Sequence, residues 1–446
     1  MKARLRKWMG QLAESFWLLP ASMVLGGILL AEGLVALDRS DALPSWLEGS
    51  SWLYNGGGTG ARILLGAVAS STIGVAGTVF SITIAALSLA AGQMGPRLLR
   101  NFTRDRGNQF TLGAFLGTFS YALMVLRSVR TQDEGVFTPH LALSVGVLFA
   151  FGCVATLVYF VGHMASRISV DTVIDLVSDD VTRAMRALVV ERPNLDPPQD
   201  DFWDSAVAVV DSRRGYLQQL DEDALAQWAA AHGTALRLLV RRGDYIFPGA
   251  PIALMTARVP EAEAAIRRNT ALGAARGSTG DAEQTIRQLV EVAVRALSPG
   301  INDPHSAMSV LDRLGDALCD LAGKEIPNGV HEANGKLVLV VPNVSYRSLC
   351  DVMFHLIRQS SEGNTALLIK LVEILAVVAA CEPDPARLDV LAAHVALVGA
   401  DAQRTIHNAT DAADIRSRLS HFAQIRFARV QGNVTAQALL GRASDA

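Results

Sequence analysis

Two groups of residues in this chain have the types and spacing to do chemistry. The first is Ser70, Gly74, Gly77, Ser81, Ser88 and Gly92, with Ala85 between, recurring every three or four residues along an apolar run. At 3.6 residues per turn they form one stripe of small and hydroxyl side chains. Such a stripe has two uses. Small residues let helices approach closely in lipid. Small polar side chains also leave room for water and offer ions the weak sites that conduction requires. In an oligomer the two are compatible, one flank packing and the other facing an axis. The second group is Asn302, Asp303 and His305, within ALSPGINDPHSA, Ala296 to Ala307. An amide, a carboxylate and an imidazole there could meet a ligand or a neighbouring subunit. Local physics offers a plainer account. Pro299-Gly300 ends the amphipathic helix TIRQLVEVAVRALS, Asp303 is placed as N-cap of the next helix, and Pro304 is its N1 residue. On that account the stretch is a rigid corner between two packed helices.

Isolated charges add three more candidates. Glu32 is the single acid inside an apolar span, either an interfacial residue or an ion or proton site, since intramembrane carboxylates are costly. Arg97, Arg100 and Arg104 share one helical face, as a lipid-headgroup anchor or an electropositive vestibule. His163, at the inner end of the fourth span, reads as a headgroup contact.

These residues must be positioned by a membrane domain. The chain has 446 residues, mean hydropathy +0.28 and 19% charged residues, below the roughly 25% of a soluble domain. From Ile63 to Pro96 there is no charge at all. A bilayer core needs roughly 20 apolar residues per helix. Spans at about 16–37, 63–94, 110–126 and 140–164 meet this, making residues 1–166 a transmembrane domain. The first run is too long for a signal-peptide core. The second, at ~1.5 Å rise per residue, outreaches a ~30 Å hydrocarbon core and projects beyond it. Lys2, Arg4, Arg6 and Lys7, with Arg97, Arg100, Arg104 and Arg106, outnumber the basic residues of the opposite loops. That places both termini in the cytoplasm.

Beyond the spans the composition becomes soluble. Residues 167–201 read as a helix and a Pro- and Asp-rich linker, 202–259 as a small β module, and 260–446 as a mainly helical cytosolic domain with one strand near Lys336 to Pro342. LLVRRGDYIFPGAPIAL resembles the barrel-sandwich half-motif of lipoyl-like domains. No Lys lies between Asp201 and Pro260, so it is not a lipoyl or biotin carrier. The expected fold is thus a four-helix membrane domain followed by an α+β region with a β-barrel-like module and a helical end.

No P-loop, GxSxG, HExxH or calcium-loop motif occurs, so no enzyme activity and no cofactor are expected. The four cysteines are scattered without a CxxC pair and the nine histidines are dispersed, so no metal site is expected either. A net charge of −3 without basic–aromatic patches points away from nucleic acid. The expected partners are the lipid bilayer, further copies of the chain and inorganic ions.

Taken together, FWLLPASM, AGTVFSITIAALSLAAGQMGPRLLRNFTRDRGNQ, LGAFLGTFSYALMVLRSVR, RRGYLQQLD, RRGDYIFPGAPIA and QLVEVAVRALSPGINDPHSA resemble a bacterial family of predicted membrane proteins, domain of unknown function 2254. The resemblance spans nearly the whole chain. It implies a bacterial inner-membrane location and four N-terminal spans, and carries no catalytic residues. The reading is an oligomeric inner-membrane ion channel or channel-like permease with a cytosolic vestibule. The alternative is a membrane-anchored signalling or scaffold protein binding a cytosolic partner or metabolite. A third reading, an enzyme at the membrane face, would use Asn302, Asp303 and His305 near Arg276.

Overall fold

The structure is a computed structural model that describes residues 16–40, 54, 56–94, 105–130, 137–167, 170–189, 195–274 and 282–432. Arg97, Arg100, Arg104 and Arg276 lie outside them. The chain divides into two compact units, Met1–Val173 and Ile174–Ala446.

Among the described residues the first unit contains four helices long and apolar enough to cross a membrane. They are α1 (Leu18–Arg39), α2 (Gly58–Met94), α3 (Arg106–Ser128) and α4 (His140–Arg167). Helices are what such sequences must form in lipid, where no water satisfies a bare backbone. The third span, the least apolar, is the central one, packing against the other three. Its N-cap is Asp105, whose carboxylate accepts from Gly107 N at 2.9 Å. Small residues set its distance from α1, with Gly27 lying over Gly117 and Gly113 over Met23. Tyr121 is fully buried and donates to Ala142 O at 2.6 Å. The Asp38 carboxylate, near the end of α1, accepts from Leu141 N and Ala142 N at 3.1 and 3.0 Å. An anion there complements the exposed amides of the α4 N-terminus.

The helix α5 (Val170–Leu188) begins four residues before the second unit, and its apolar face buries Ile174, Val177, Val181 and Met185. A 3₁₀ turn at Asp200–Trp203 leads into the strands. These are β1 (Val207–Val210), β2 (Gly215–Leu220), β3 (Leu236–Leu238), β4 (Tyr245–Ile246), β5 (Pro251–Met255), β6 (Thr270–Gly273), β7 (Val330–Ala333) and β8 (Lys336–Val340). Two short helices, α6 (Glu222–Ala231) and α7 (Ala262–Asn269), cover them. One core joins these pieces through Leu217, Leu225, Leu236, Ile252, Ile266 and Leu339.

The β-barrel-like module expected over 202–259 is not a closed barrel. Among the described residues the strands form two open sheets, a five-stranded one ordered β1-β5-β3-β8-β7 and a three-stranded one ordered β4-β2-β6. The reason is visible in the pairing. The two-residue β4 pairs with β2 alone, and closure would need a second partner. The side of β3 that a barrel would use is instead paired, in parallel, with β8.

The helical end comprises α8 (Ala282–Ala296), α9 (Pro304–Leu321), α10 (Tyr346–Ser360), α11 (Thr365–Cys381), α12 (Pro385–Thr405) and α13 (Ala409–Val430). Apolar almost all round, α11 is the core helix, packed against α9, α12 and α13. On the other side α10 packs against α8 and α12.

Candidate functional site

The second span carries its small stripe on its outer face. Its buried residues are Ala61, Leu65, Ala69, Thr72, Ala76, Val79 and Ala86, which pack toward the other spans. At about 100° per residue, Ser70, Gly74, Gly77, Ser81 and Ser88 fall within about 60° of each other, roughly opposite that buried face. Ser70, Gly74, Gly77, Ser81 and Ser88 are all exposed within the chain. A Cβ added at Gly74 or Gly77 would meet nothing within 4 Å. The stripe therefore does not pack against α1, α3 or α4. One flank is bulky and apolar, with Ile73, Phe80 and Ile84 between 41% and 49% exposed. On the other flank lie Ser71, Thr78 and Ala85. The hydroxyls turn back on the helix, Thr78 Oγ1 donating to Gly74 O at 3.2 Å and Ser81 Oγ to Gly77 O at 2.9 Å. Each hydroxyl oxygen, having donated, can still accept.

Glu32, on α1, faces Arg127 on α3, Oε1 to Nη2 3.5 Å, with both side chains more than half exposed. At the other end of the unit, His163 is not free for a headgroup. Its Nε2 lies 2.7 Å from Asp105 Oδ2, with the carboxylate buried. The sequence separates these partners by most of two spans, which is why the contact was illegible there.

In the second unit, the Ala296–Ala307 stretch folds as a corner. Asp303 is the N-cap of α9 and Pro304 stands at its start. The Asp303 carboxylate accepts from Ser306 N at 3.2 Å and from Ser306 Oγ at 2.6 Å. The hydroxyl bond from Ser306 is the main reason its carboxyl is held below the usual value. Asp303 N donates to Ala296 O at 2.7 Å, tying the corner back to α8. Asn302 adopts φ +51°, a left-handed conformation that Asn tolerates better than most residues. Asn302 and His305 are exposed, and Asp303 is committed to the cap.

A cluster that the sequence reading passed over lies between α10 and α12. Asp351 and His355 are one helical turn apart on α10, Oδ1 to Nε2 3.1 Å. From α12, His394 Nε2 reaches the same Asp351 oxygen at 3.1 Å. The two imidazole rings are 4.9 Å apart, centroid to centroid. His394 is 3% exposed and its Nδ1 has no hydrogen-bond partner. Burial, with His355 alongside, pushes the His394 imidazole down to about 4, so it is neutral at physiological pH. One donor of each side chain lies within 4.8 Å of the others, close enough to hold a metal ion. A D-x-x-x-H pair on one helix face was the available signal. The third donor, past all of α11, gave none.

The stretches quoted from both units belong together in the comparison with known proteins. A family described as "Predicted membrane protein (DUF2254)" matches residues 13–377. The chain belongs to this family. Its relatives include the uncharacterized proteins Rv1290c of Mycobacterium tuberculosis (strain H37Rv) and Mb1321c of Mycobacterium bovis, each 30% identical over 419 residues, 90% of this chain and 79% of the relative. No solved structure matches the chain. In this DUF2254 protein one quoted region is tied through charge to the helix that carries another. Arg241, in RRGDYIFPGAPIA, places Nη2 2.9 Å from Oε2 of Glu283, just ahead of QLVEVAVRALSPGINDPHSA, and the Glu283 side chain is 3% exposed.

Proposed function

We propose that this membrane protein is an oligomeric ion channel or channel-like permease of the bacterial inner membrane. The observation that carries the proposal is the direction of the second-span stripe. Ser70, Gly74, Gly77, Ser81 and Ser88 turn away from their own four-helix unit. A face without bulky side chains and with hydroxyls at Ser70, Ser81 and Ser88 offers neither tight lipid packing nor burial within the chain. It suits an axis shared by several copies, each contributing one wall. Ile73, Phe80 and Ile84 supply an apolar flank for packing between copies. Four spans are few to enclose a conduit alone, which also favours an oligomer. The Lys and Arg distribution supports cytoplasmic termini, with the second unit on the cytoplasmic side as vestibule or regulatory part.

The test is reconstitution of the full chain in planar bilayers. Discrete conductance steps are expected. Silence across several monovalent and divalent ions and a range of voltages would overturn the proposal in favour of a membrane-anchored scaffold, whose small stripe would serve only close contact between copies.

A further inference from the structure

We propose that Asp351, His355 and His394 form a binding site for a divalent transition-metal ion of the zinc class. The site is independent of whether the membrane unit conducts. Two imidazoles and one carboxylate are a donor set suited to zinc and its borderline neighbours, and ill suited to calcium or magnesium, which take oxygen shells. The three donors come from two packed helices, Asp351 and His355 at i and i+4 on α10 and His394 on α12. That spacing puts the first two side chains on one face of their helix.

The distances fit. Arms of about 2.0–2.1 Å in a tetrahedral zinc shell hold donor atoms roughly 3.3 Å apart. Here Asp351 Oδ1 is 3.1 Å from His355 Nε2 and 3.1 Å from His394 Nε2. All three donors lie within 4.8 Å of each other, so a small rotation of the more exposed His355 closes the third edge. The surroundings fit as well. His394 is held in the protein interior, against Phe354, and makes its hydrogen bond through the side of the ring that faces Asp351. Asp351 and His355 are 42% and 38% exposed, leaving solvent access for the ion and for a water in a fourth position. Arg358, one turn beyond His355 on α10, is ion-paired to Asp401. Three protein donors and one open position make a site of the exchangeable kind rather than a closed structural one.

The experiment uses the full-length chain, purified in detergent, freed of any affinity tag and treated with chelator. Zn²⁺ is titrated by calorimetry, and Co²⁺ serves as an optical probe of nitrogen–oxygen coordination. One equivalent per chain is expected, with the tetrahedral cobalt absorption. His355→Ala, at a half-exposed position that tolerates truncation, should weaken Zn²⁺ on the order of tenfold or more and abolish the cobalt band. Asp351→Asn and His394→Gln should do the same, and excess Zn²⁺ should raise the melting temperature of the wild-type chain alone. If His394→Gln does not fold, His355→Ala and Asp351→Asn decide. No stoichiometric binding to the wild-type chain, or unchanged affinity in His355→Ala and Asp351→Asn, would overturn the proposal.

Discussion

A Cβ placed on Gly27 of α1 would stand 2.5 Å from the carbonyl oxygen of Gly117 on α3. That oxygen is backbone and cannot move aside cheaply. Glycine at 27 is therefore what allows the first span to lie against the central third span. The same added carbon at Gly77 of α2 would meet nothing within the chain. Gly27→Ala should destabilise the membrane unit by about 1–3 kcal/mol through overpacking, whereas Gly77→Ala should leave the monomer's stability unchanged. Thermal unfolding of both variants in detergent checks the contrast. Equal losses would contradict the assignment of an inner and an outer glycine face.

Arg241 is the chief counter-charge of the nearly fully buried Glu283, with Arg287 farther off at 3.7 Å. Removing one partner of a buried pair leaves an uncompensated charge, so Arg241→Ala should cost about 3 kcal/mol. Replacing both, as Arg241→Met with Glu283→Leu, should cost markedly less. Chemical denaturation monitored by tryptophan fluorescence distinguishes the two.

At the corner, Asp303→Ala removes the N-cap of α9 and should lower stability by about 1 kcal/mol at neutral pH. The carboxyl is depressed in the folded chain, first by the Ser306 hydroxyl bond. Its charge-dependent contribution is therefore full above its ordinary value near 3.8 and is lost as pH falls through its lower folded value. Melting temperatures of wild type and Asp303→Ala should converge over that acidic window. A constant gap between them would mean that the carboxylate charge adds nothing to the cap.

Parts of this architecture were legible because they depend on local rules. Lipid demands long apolar helices, so the spans could be read from composition. Asp303, Pro304 and Ser306 build the cap of the Ala296–Ala307 corner within four positions of one another, so it was legible too. The stripe of α2 was periodic in sequence, but periodicity says nothing about which face meets the neighbouring helices. That required Ala69, Thr72, Ala76 and Val79 to be seen buried on the opposite side. The open sheets were illegible because β8 joins β3 across most of a hundred residues and β4 is only two residues long. The Asp351, His355 and His394 cluster was hidden for the same reason, its third member lying on another helix.

The central claim is that the second-span stripe lines a conduit between copies of the chain. The most direct measurement is tracer-ion flux into proteoliposomes carrying Gly77→Leu or Ser81→Leu, after size exclusion of each variant in detergent. The account predicts that both variants elute as the wild-type oligomer and that flux is lost, because a leucine there projects into the conduit without touching the subunit's own helices. Collapsed or aggregated elution of both variants, or wild-type flux through normally assembled oligomers, would contradict it.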